Sequence, residues 1–279
     1  MRFPWRSIPA ATAIALCLAA HIAWPAEAPL PIVDAHLHYS QSAWSRFSPA
    51  EILHLMDQAG VARAVASSTP DDGTVRLYDL APSRIIPFLR PYRGSVGAGN
   101  WTQDPMLIAY LEERLGKRNY RGIGEFHLMD GGAQAPHVRR VVELAVRRGL
   151  YVQVHSGAEP VRGLFALDPQ VQVLWAHAGM SEPPRVIEAL LESQARLWCE
   201  VSFRAADIAP EGKLEPSWRA LFIRFPDRFL IGTDTYVTSR WDEYPRLIQE
   251  HRRWLVQLPR EVAEAIAIQN AARLFGEPR

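Results

Sequence analysis

Several short apolar segments of the sequence end in a histidine or a carboxylate, and these are the residues that could do chemistry. His36 and His38 lie two apart in the segment IVDAHLH, and the other segment ends carry Glu125, His155, His177 and Asp234. Residues i and i+2 of a strand share a face, so the two imidazoles of the first segment point the same way and can bind one cation. Such side chains are costly at the ends of apolar strands unless paired or metal-bound. Hydrogen-bonded core histidines would explain any one segment alone; the whole set predicts a metal centre.

The segments that position these residues belong to a regular alternation of strand and helix. Near-continuous apolar runs are typical of parallel strands covered on both faces. Eight are predicted as strands, over residues 32–38, 62–67, 85–90, 122–128, 151–155, 171–177, 195–202 and 229–234. Ser48 and Glu51 form a capping box before the first helix, and Gly149 suits the end of a helix over residues 137–148.

This alternation predicts an α/β fold, a single (β/α)8 TIM-type barrel over residues 29–279. A doubly wound open sheet is the alternative, but no G-x-G-x-x-G follows the first strand. In a barrel of this type the carboxyl ends of the strands meet at one end, and the chemistry takes place there. The predicted metal-binding side chains would therefore converge although they are far apart along the chain.

Composition excludes several classes of protein. The chain has 279 residues, of which 48% are apolar and 22% are charged, which excludes wholesale disorder. Two cysteines cannot form a disulfide framework. The net charge of +1, without a stripe of interleaved basic and aromatic residues, gives no indication of a nucleic-acid partner. We expect a small-molecule substrate, and the sequence does not specify an oligomeric state.

The first 28 residues are predicted to be a secretory signal peptide. Arg2 and Arg6 precede a short apolar stretch over residues 8–23, and Ala26-Glu27-Ala28 has the small-x-small pattern of a cleavage site. An uncleaved anchor is the alternative, but the stretch is shorter than the roughly 20 residues a spanning helix needs. Removal of Arg2, Arg6 and Glu27 leaves a net charge of zero. We therefore expect a periplasmic or secreted protein that makes no membrane contact after cleavage.

The pattern of metal-binding candidates resembles the amidohydrolase superfamily over nearly the whole mature chain. The resemblance rests on the positions of His36-x-His38, His155, His177 and Asp234 on strands one, five, six and eight. It is closest to the amidohydrolase-related branch, which holds hydrolases, lactonases and decarboxylases typified by aminocarboxymuconate semialdehyde decarboxylase. The segments that carry the resemblance are IVDAHLH, WAHAG, GTD and the closing NAARLFG.

The resemblance implies a role for each of these residues. His36, His38, His155 and Asp234 would hold a divalent cation, zinc being expected from the donor types and manganese or iron being the alternatives. The cation would lower the pKa of a water towards about 7. Asp234 would take the proton of that water and pass it to the leaving group, while His177 would polarise the substrate carbonyl or hydrogen-bond the attacking water.

Glu125 decides between one ion and two. Some superfamily members use a strand-four lysine or glutamate as a bridge, and Ile123-Gly124-Glu125 is similar to the glutamate motif of TatD-type deoxyribonucleases. If Glu125 bridges, His155 and His177 serve a second ion. If it does not, Glu125 is either a base that contacts the metal ligands without binding the metal or a structural carboxylate.

Three further residues are predicted to contact substrate: Arg90, His127 and Arg204. Arginine has the fork geometry that suits a carboxylate, although a solvated loop would also explain Arg90. The leading function is a metal-dependent hydrolase of a small ester, lactone or amide, and the alternative is a decarboxylase of the same fold acting on an unsaturated or aromatic acid. The neutral charge disfavours a nuclease, and the full ligand set disfavours a non-catalytic binding protein.

Overall fold

A computed structural model describes residues 29–276, in which eight parallel strands alternate with helices. The predicted signal peptide over residues 1–28 lies outside the described residues. Each strand pairs with the next along the chain. The strands are β1 (Ile32–Leu37), β2 (Val61–Ala66), β3 (Ile85–Leu89), β4 (Gly122–His127), β5 (Tyr151–His155), β6 (Gln172–Trp175), β7 (Leu197–Glu200) and β8 (Phe229–Leu230).

Backbone contacts between β8 and β1 bring the two ends of the sheet together. The amide of Ala35 donates to the carbonyl of Ile231 over 2.7 Å, and the amide of Asp234 donates to the carbonyl of His36 over 2.6 Å. The sheet is therefore a nearly closed barrel, and the predicted single (β/α)8 fold is confirmed.

Seven of the eight strands end one to four residues earlier than the sequence pattern indicated, and at β6 and β8 this moves a predicted site residue well outside the strand. β6 ends at Trp175 and β8 at Leu230, so His177 and Asp234 lie in the loops that follow. Both residues have a left-handed backbone, with φ of 57° at His177 and 51° at Asp234. Because a strand needs negative φ, the chain must leave the sheet before either residue.

The helices cover the outside of the barrel. At the first of them the predicted capping box is present: the Ser48 hydroxyl accepts from the Glu51 amide, and the Glu51 carboxylate accepts from the Ser48 amide. Gly149 ends the fourth helix with φ of 65°. The helices are α1 (Pro49–Ala59), α2 (Asp72–Leu80), α3 (Leu107–Lys117), α4 (Pro136–Arg148), α5 (Ala158–Leu167), α6 (Pro184–Ser193), α7 (Ala205–Ile208), α8 (Pro216–Arg224), α9 (Tyr244–Leu255), α10 (Arg260–Glu264) and α11 (Asn270–Phe275).

Apolar side chains fill both the space under the helices and the starting end of the barrel. The larger core lies between the sheet and the helices, where Trp175 and Trp254 are fully buried. In the smaller core Phe275 of α11 packs against Phe88 and Tyr151, with ring centroids 5.7 and 5.2 Å apart. Tyr151 is the first residue of β5, so α11 covers the amino-terminal end of the barrel. The polar site therefore lies at the opposite, carboxyl-terminal end of the strands. Within residues 29–276, no helix combines the length and the apolar character needed to cross a bilayer.

Candidate metal centre

Four of the predicted ligands meet at the carboxyl ends of β1, β4 and β8. The Nε2 atoms of His36 and His38 lie 3.0 Å apart. Glu125 Oε2 is 3.5 Å from the first of these nitrogens and 3.3 Å from the second. Asp234 Oδ1 is 3.6 and 3.2 Å from the same two atoms. These four side chains, called here the first ligand group, are all buried.

The hydrogen bonds behind the two imidazoles fix which nitrogen carries the proton. His36 Nδ1 lies 2.8 Å from Glu200 Oε1, and His38 Nδ1 contacts the carbonyl oxygen of Ser67. Both partners are acceptors only, so both Nδ1 atoms must donate and the neutral rings present Nε2 lone pairs to each other. Two lone pairs at 3.0 Å repel, so the pair needs either a proton on one Nε2 or a metal cation beside both. Asp234 Oδ1 is buried beside them and has no hydrogen-bond partner among the described residues.

A second set of donors faces the other oxygen of Glu125. Glu125 Oε1 lies 3.1 Å from His155 Nδ1 and 3.6 Å from His177 Nε2, and these two nitrogens are 3.0 Å apart. Asp234 Oδ2 lies 3.8 Å from the same nitrogen of His177. Glu125 Oε1, His155 and His177 are called here the second ligand group. The Glu125 carboxylate therefore presents one oxygen to each group, which is the arrangement of a bridging ligand.

The charges in this buried site favour a cation. Burial raises the pKa of the Glu125 and Asp234 carboxyls, but the facing imidazoles, His36 first, outweigh it and hold both pKa values below normal. Burial lowers the pKa of His36, yet the carboxylates of Asp234, Glu125 and Glu200 raise it well above its ordinary value. A site that raises the proton affinity of an imidazole stabilises a divalent ion for the same electrostatic reason.

The donor set fits a divalent metal. Imidazole nitrogens and carboxylate oxygens are ligands for zinc and its neighbours, at bond lengths of about 2.0 to 2.2 Å. Donors at that distance from one tetrahedral ion lie about 3.3 Å apart. In the first ligand group, the two Nε2 atoms lie 3.0 Å apart and 3.2 to 3.6 Å from the carboxylate oxygens that face them. The side chains brought together by the fold are therefore able to bind a divalent ion without rearrangement of the strands.

Two of the residues predicted to bind substrate lie next to the ligands. Arg90 donates from Nη2 to Glu125 Oε2 over 2.8 Å and from Nε to the Glu125 carbonyl over 3.1 Å. The ring of His127 stacks on that of His155, with centroids 4.3 Å apart. The Tyr92 hydroxyl accepts from the His127 amide over 2.8 Å and lies 2.9 Å from His127 Nδ1. Burial, above all, lowers the pKa of His127 to about 4, so the ring is neutral near pH 7.

Arg204 is placed differently from the substrate-binding position predicted for it. The side chain is buried, and its Nη1 donates to the carbonyls of His177 and Ala178 over 3.1 Å each. Nη2 donates to the carbonyl of Glu182 over 2.9 Å, and Nε to Asp207 over 2.8 Å. Because all of these donors bind acceptors within the protein, Arg204 stabilises the loop that follows β6.

Two buried carboxylates contact the site but were not predicted from the sequence to belong to it. Glu200 at the end of β7 accepts from His36 Nδ1 and from the His177 amide, the latter over 2.6 Å. Asp34 accepts from the His36 amide over 3.0 Å and from the Thr233 hydroxyl over 2.6 Å. Burial raises the pKa of Asp34 to about 6 despite these bonds. Glu200 lies two residues before the end of the strand predicted over residues 195–202, close to a strand end as the metal-binding candidates are, and that position was the available signal.

Apolar side chains flank the open side of the site. The ring of Phe203, after β7, lies 5.6 Å from the ring of His177 and 6.0 Å from that of Tyr236. Phe203 and Tyr236 remain exposed. Arg240 lies over the same phenylalanine, but its Nε and Nη2 donate to the carbonyls of Asp234 and Thr233. This face of the site therefore carries exposed aromatic rings beside an arginine that is bonded to the backbone.

Comparisons with known proteins place the chain among enzymes of one superfamily. The sequence model of a family described as amidohydrolase matches residues 33–276. No curated protein sequence matches the chain.

Three solved structures illustrate the likeness in fold. A probable 2-pyrone-4,6-dicarboxylic acid hydrolase from Acinetobacter baumannii is 14% identical, with 88% of this chain and 99% of that one covered and a TM-score of 0.61. A TatD homologue from Escherichia coli K12 is 18% identical, with coverages of 90% and 100% and a TM-score of 0.64. An N-acetyl-D-glucosamine-6-phosphate deacetylase from Mycobacterium smegmatis is 19% identical, with coverages of 89% and 76% and a TM-score of 0.60.

Proposed function

The chain belongs to the amidohydrolase family, as the resemblance in its sequence implied, and from that premise we propose that it is a zinc-dependent hydrolase of a small ester, lactone or amide. The observation that carries the proposal is the position of Glu125, whose two carboxylate oxygens face two different sets of donors. We propose that the site holds two divalent ions, one in each ligand group, with Glu125 between them.

The bound ions would polarise a substrate carbonyl and make water acidic enough to ionise at a pH near 7. Asp234 is the proton acceptor. Its Oδ1 faces His36 and His38, and its Oδ2, 3.8 Å from His177 Nε2, takes the proton of the attacking water and returns it to the leaving oxygen or nitrogen. His127 is neutral and its Nδ1 accepts from Tyr92, so its Nε2–H is the donor left for a substrate oxygen.

A decarboxylase of the same fold is the second candidate, and the positions of two arginines favour the hydrolase over it. A guanidinium that faces the site would give a carboxylic acid substrate an ionic partner in addition to the ions. Arg204 donates to backbone carbonyls, and Arg90 donates to Glu125 from Nε and Nη2, so only Nη1 of Arg90 is left to face a substrate carboxylate. Uncharged esters and lactones need no such partner.

The function is tested by a substrate screen with the zinc-loaded protein. Esters and lactones are assayed by proton release, amides by release of the amine, and unsaturated and aromatic acids by release of carbon dioxide. We expect turnover with at least one class of uncharged acyl substrate. Carbon dioxide release with no hydrolytic product would establish the lyase instead, and no turnover of any class by fully loaded protein would refute both.

The number and identity of the ions are tested separately from activity. Inductively coupled plasma mass spectrometry of protein purified without added metal, and again after zinc saturation, is expected to give two zinc ions per chain at saturation. One ion per chain at saturation would remove the bridging role of Glu125.

We also propose that the chain is exported and cleaved after Ala28, on the basis of the amino-terminal sequence pattern. Mass spectrometry of the mature protein from its native host is expected to show residue 29 or a near neighbour at the amino terminus. An intact Met1 on the mature protein would refute export with cleavage.

A further inference from the structure

We propose that Glu200 is a positioning residue that makes both ligand groups able to bind metal, because it fixes which nitrogen of His36 and of His177 carries the proton. The inference rests on the proposed metal role of those two histidines. β7 contributes no side chain to either ligand group, and it contacts the site through Glu200, its last residue.

Every group that contacts the Glu200 carboxylate is a donor. Oε1 accepts from His36 Nδ1 over 2.8 Å, from the His177 amide over 2.6 Å and from the Ser202 hydroxyl over 3.1 Å. Oε2 accepts from the Ser202 amide over 2.8 Å. Only a side chain that accepts at both ends satisfies all of these contacts, and among the common side chains that is an ionised carboxylate.

The serine extends this control to the second ligand group. The Ser202 hydroxyl gives its single proton to Glu200 and lies 2.8 Å from His177 Nδ1, so it must accept a proton from that nitrogen. His177 is thereby held with its proton on Nδ1 and its Nε2 lone pair towards Glu125. One carboxylate thus directs an imidazole of each ligand group, directly at His36 and through a hydroxyl at His177.

The backbone that follows β8 leaves the space that the Glu200 carboxylate occupies. Glu200 is fully buried. A Cβ atom built on Gly232 would lie 2.0 Å from Glu200 Oε2, so a residue larger than glycine at that position would displace the carboxylate. The segment Gly232-Thr233-Asp234 therefore both supplies a metal ligand and leaves the space that Glu200 occupies.

Replacing Glu200 with glutamine tests the proposal because it changes the hydrogen-bonding pattern without changing the shape. The amide NH2 must face a donor, whichever way the side chain is turned. With the NH2 towards His36, the proton of that ring moves to Nε2 and the nitrogen can no longer bind an ion. With the NH2 turned the other way, it faces the Ser202 amide, so the turn that places the Ser202 hydroxyl against His177 is displaced. We expect Glu200→Gln to weaken metal binding by about 10- to 100-fold, the usual cost of losing a group that orients a ligand.

Asp71→Asn provides the matched control. Asp71 is also buried and accepts from Arg114 and Tyr120, but it makes no contact with either ligand group. Cobalt affinity is measured by titration of the apo proteins, with the visible absorption of bound Co²⁺ as the signature of coordination and thermal unfolding as the check on folding. Both variants are expected to be less stable than wild type, and only Glu200→Gln is expected to change the affinity and the cobalt spectrum.

Wild-type cobalt affinity and spectrum in folded Glu200→Gln would overturn the proposal. Should that variant not fold, Ser202→Ala removes the hydroxyl that lies between Glu200 and His177 and leaves the contact of Glu200 with His36 in place. We then expect the second cobalt ion to bind at least tenfold more weakly and the first to be unchanged, and two unchanged affinities would overturn the proposal. Wild-type protein that binds cobalt but hydrolyses nothing would refute the proposed function and leave this test valid, whereas wild-type protein that binds no ion would refute both.

Discussion

Asp234→Asn is the substitution that separates proton transfer from metal binding most cleanly. Asp234 has φ of 51°, a left-handed conformation that asparagine adopts more readily than other non-glycine residues and that alanine disfavours. The amide has the shape of the carboxylate, and Oδ1 has no hydrogen-bond partner to lose among the described residues. We therefore expect the variant to fold, with a free energy of unfolding within about 1 kcal/mol of wild type.

The loss in rate follows from the role of Oδ2 as proton acceptor. General acid–base catalysis contributes roughly 10²- to 10⁴-fold, which corresponds to about 3 to 5 kcal/mol of the activation free energy. The ion of the first ligand group keeps the nitrogens of His36 and His38 and Glu125 Oε2, which lie 3.0 to 3.5 Å from one another. We expect kcat/KM to fall by about 10²- to 10⁴-fold while the metal content at saturation is unchanged.

The assay compares kcat/KM, metal per chain and thermal unfolding for wild type, Asp234→Asn and Asp242→Asn. Asp242 is exposed and pairs with Arg46 over 2.6 Å, and an exposed pair of this kind contributes about 0 to 1 kcal/mol, so its variant should match wild type in all three measurements. A kcat within threefold of wild type in metal-loaded Asp234→Asn would refute the assignment of the proton acceptor. Loss of the ion would refute the premise that binding and proton transfer are separable here.

Three further outcomes are expected. His36→Ala and His38→Ala should each lower the metal content by one ion per chain, and full retention by mass spectrometry would contradict the first ligand group. Burial, first among its causes, lowers the pKa of His251 from 6.5 to about 4. Between pH 4 and 6.5 the unfolded state therefore binds more protons at His251 than the folded state does. The contribution of neutral His251 to the free energy of unfolding is present in full above pH 6.5, and about 3 kcal/mol of it is lost as the pH falls towards 4. Denaturant unfolding at pH 4 and 7 should show a smaller pH dependence in His251→Gln, and an equal dependence would contradict the assignment. Arg204→Gln should lower the free energy of unfolding by about 2 to 4 kcal/mol, because buried carbonyls lose their donors. Unchanged stability together with a raised KM would instead support the substrate contact predicted for Arg204 from the sequence.

The barrel and the convergence of the candidate metal-binding side chains could be predicted because they depend on short-range pattern. His36 and His38 follow from a two-residue spacing in one strand, and the other ligands each mark the end of an apolar run. The pattern could not show where β6 and β8 end. The left-handed backbone at His177 and Asp234 is set by the turn into each loop and by hydrogen bonds from the amides of both residues to Glu200 and to the His36 carbonyl.

The role of Arg204 and the role of Glu200 could not be predicted for a different reason. Arginine after a strand has the same local pattern whether it faces a ligand or a set of carbonyls, and only the path of the loop over residues 177–182 decides between these. Glu200 acts on His36 across 164 positions of sequence, and the contact exists only because the barrel brings β7 close to β1 through β8. Long-range contacts of this kind depend on closure of the sheet, which no single segment encodes.

The backbone conformations at the ends of the last three strands connect the stability of the barrel to the function of the site. His177, Phe203 and Asp234 follow β6, β7 and β8, and all three have φ between 51° and 63°. Each left-handed non-glycine residue costs roughly 1 to 3 kcal/mol, so the surrounding contacts must hold it in place. At His177 and Asp234 those contacts are hydrogen bonds of 2.6 Å from the backbone amide to a group beside the metal ligands. The same hydrogen bonds therefore offset the cost of the left-handed backbone and orient the candidate ligands. A substitution that removes one of these bonds should for that reason weaken metal binding before it unfolds the barrel.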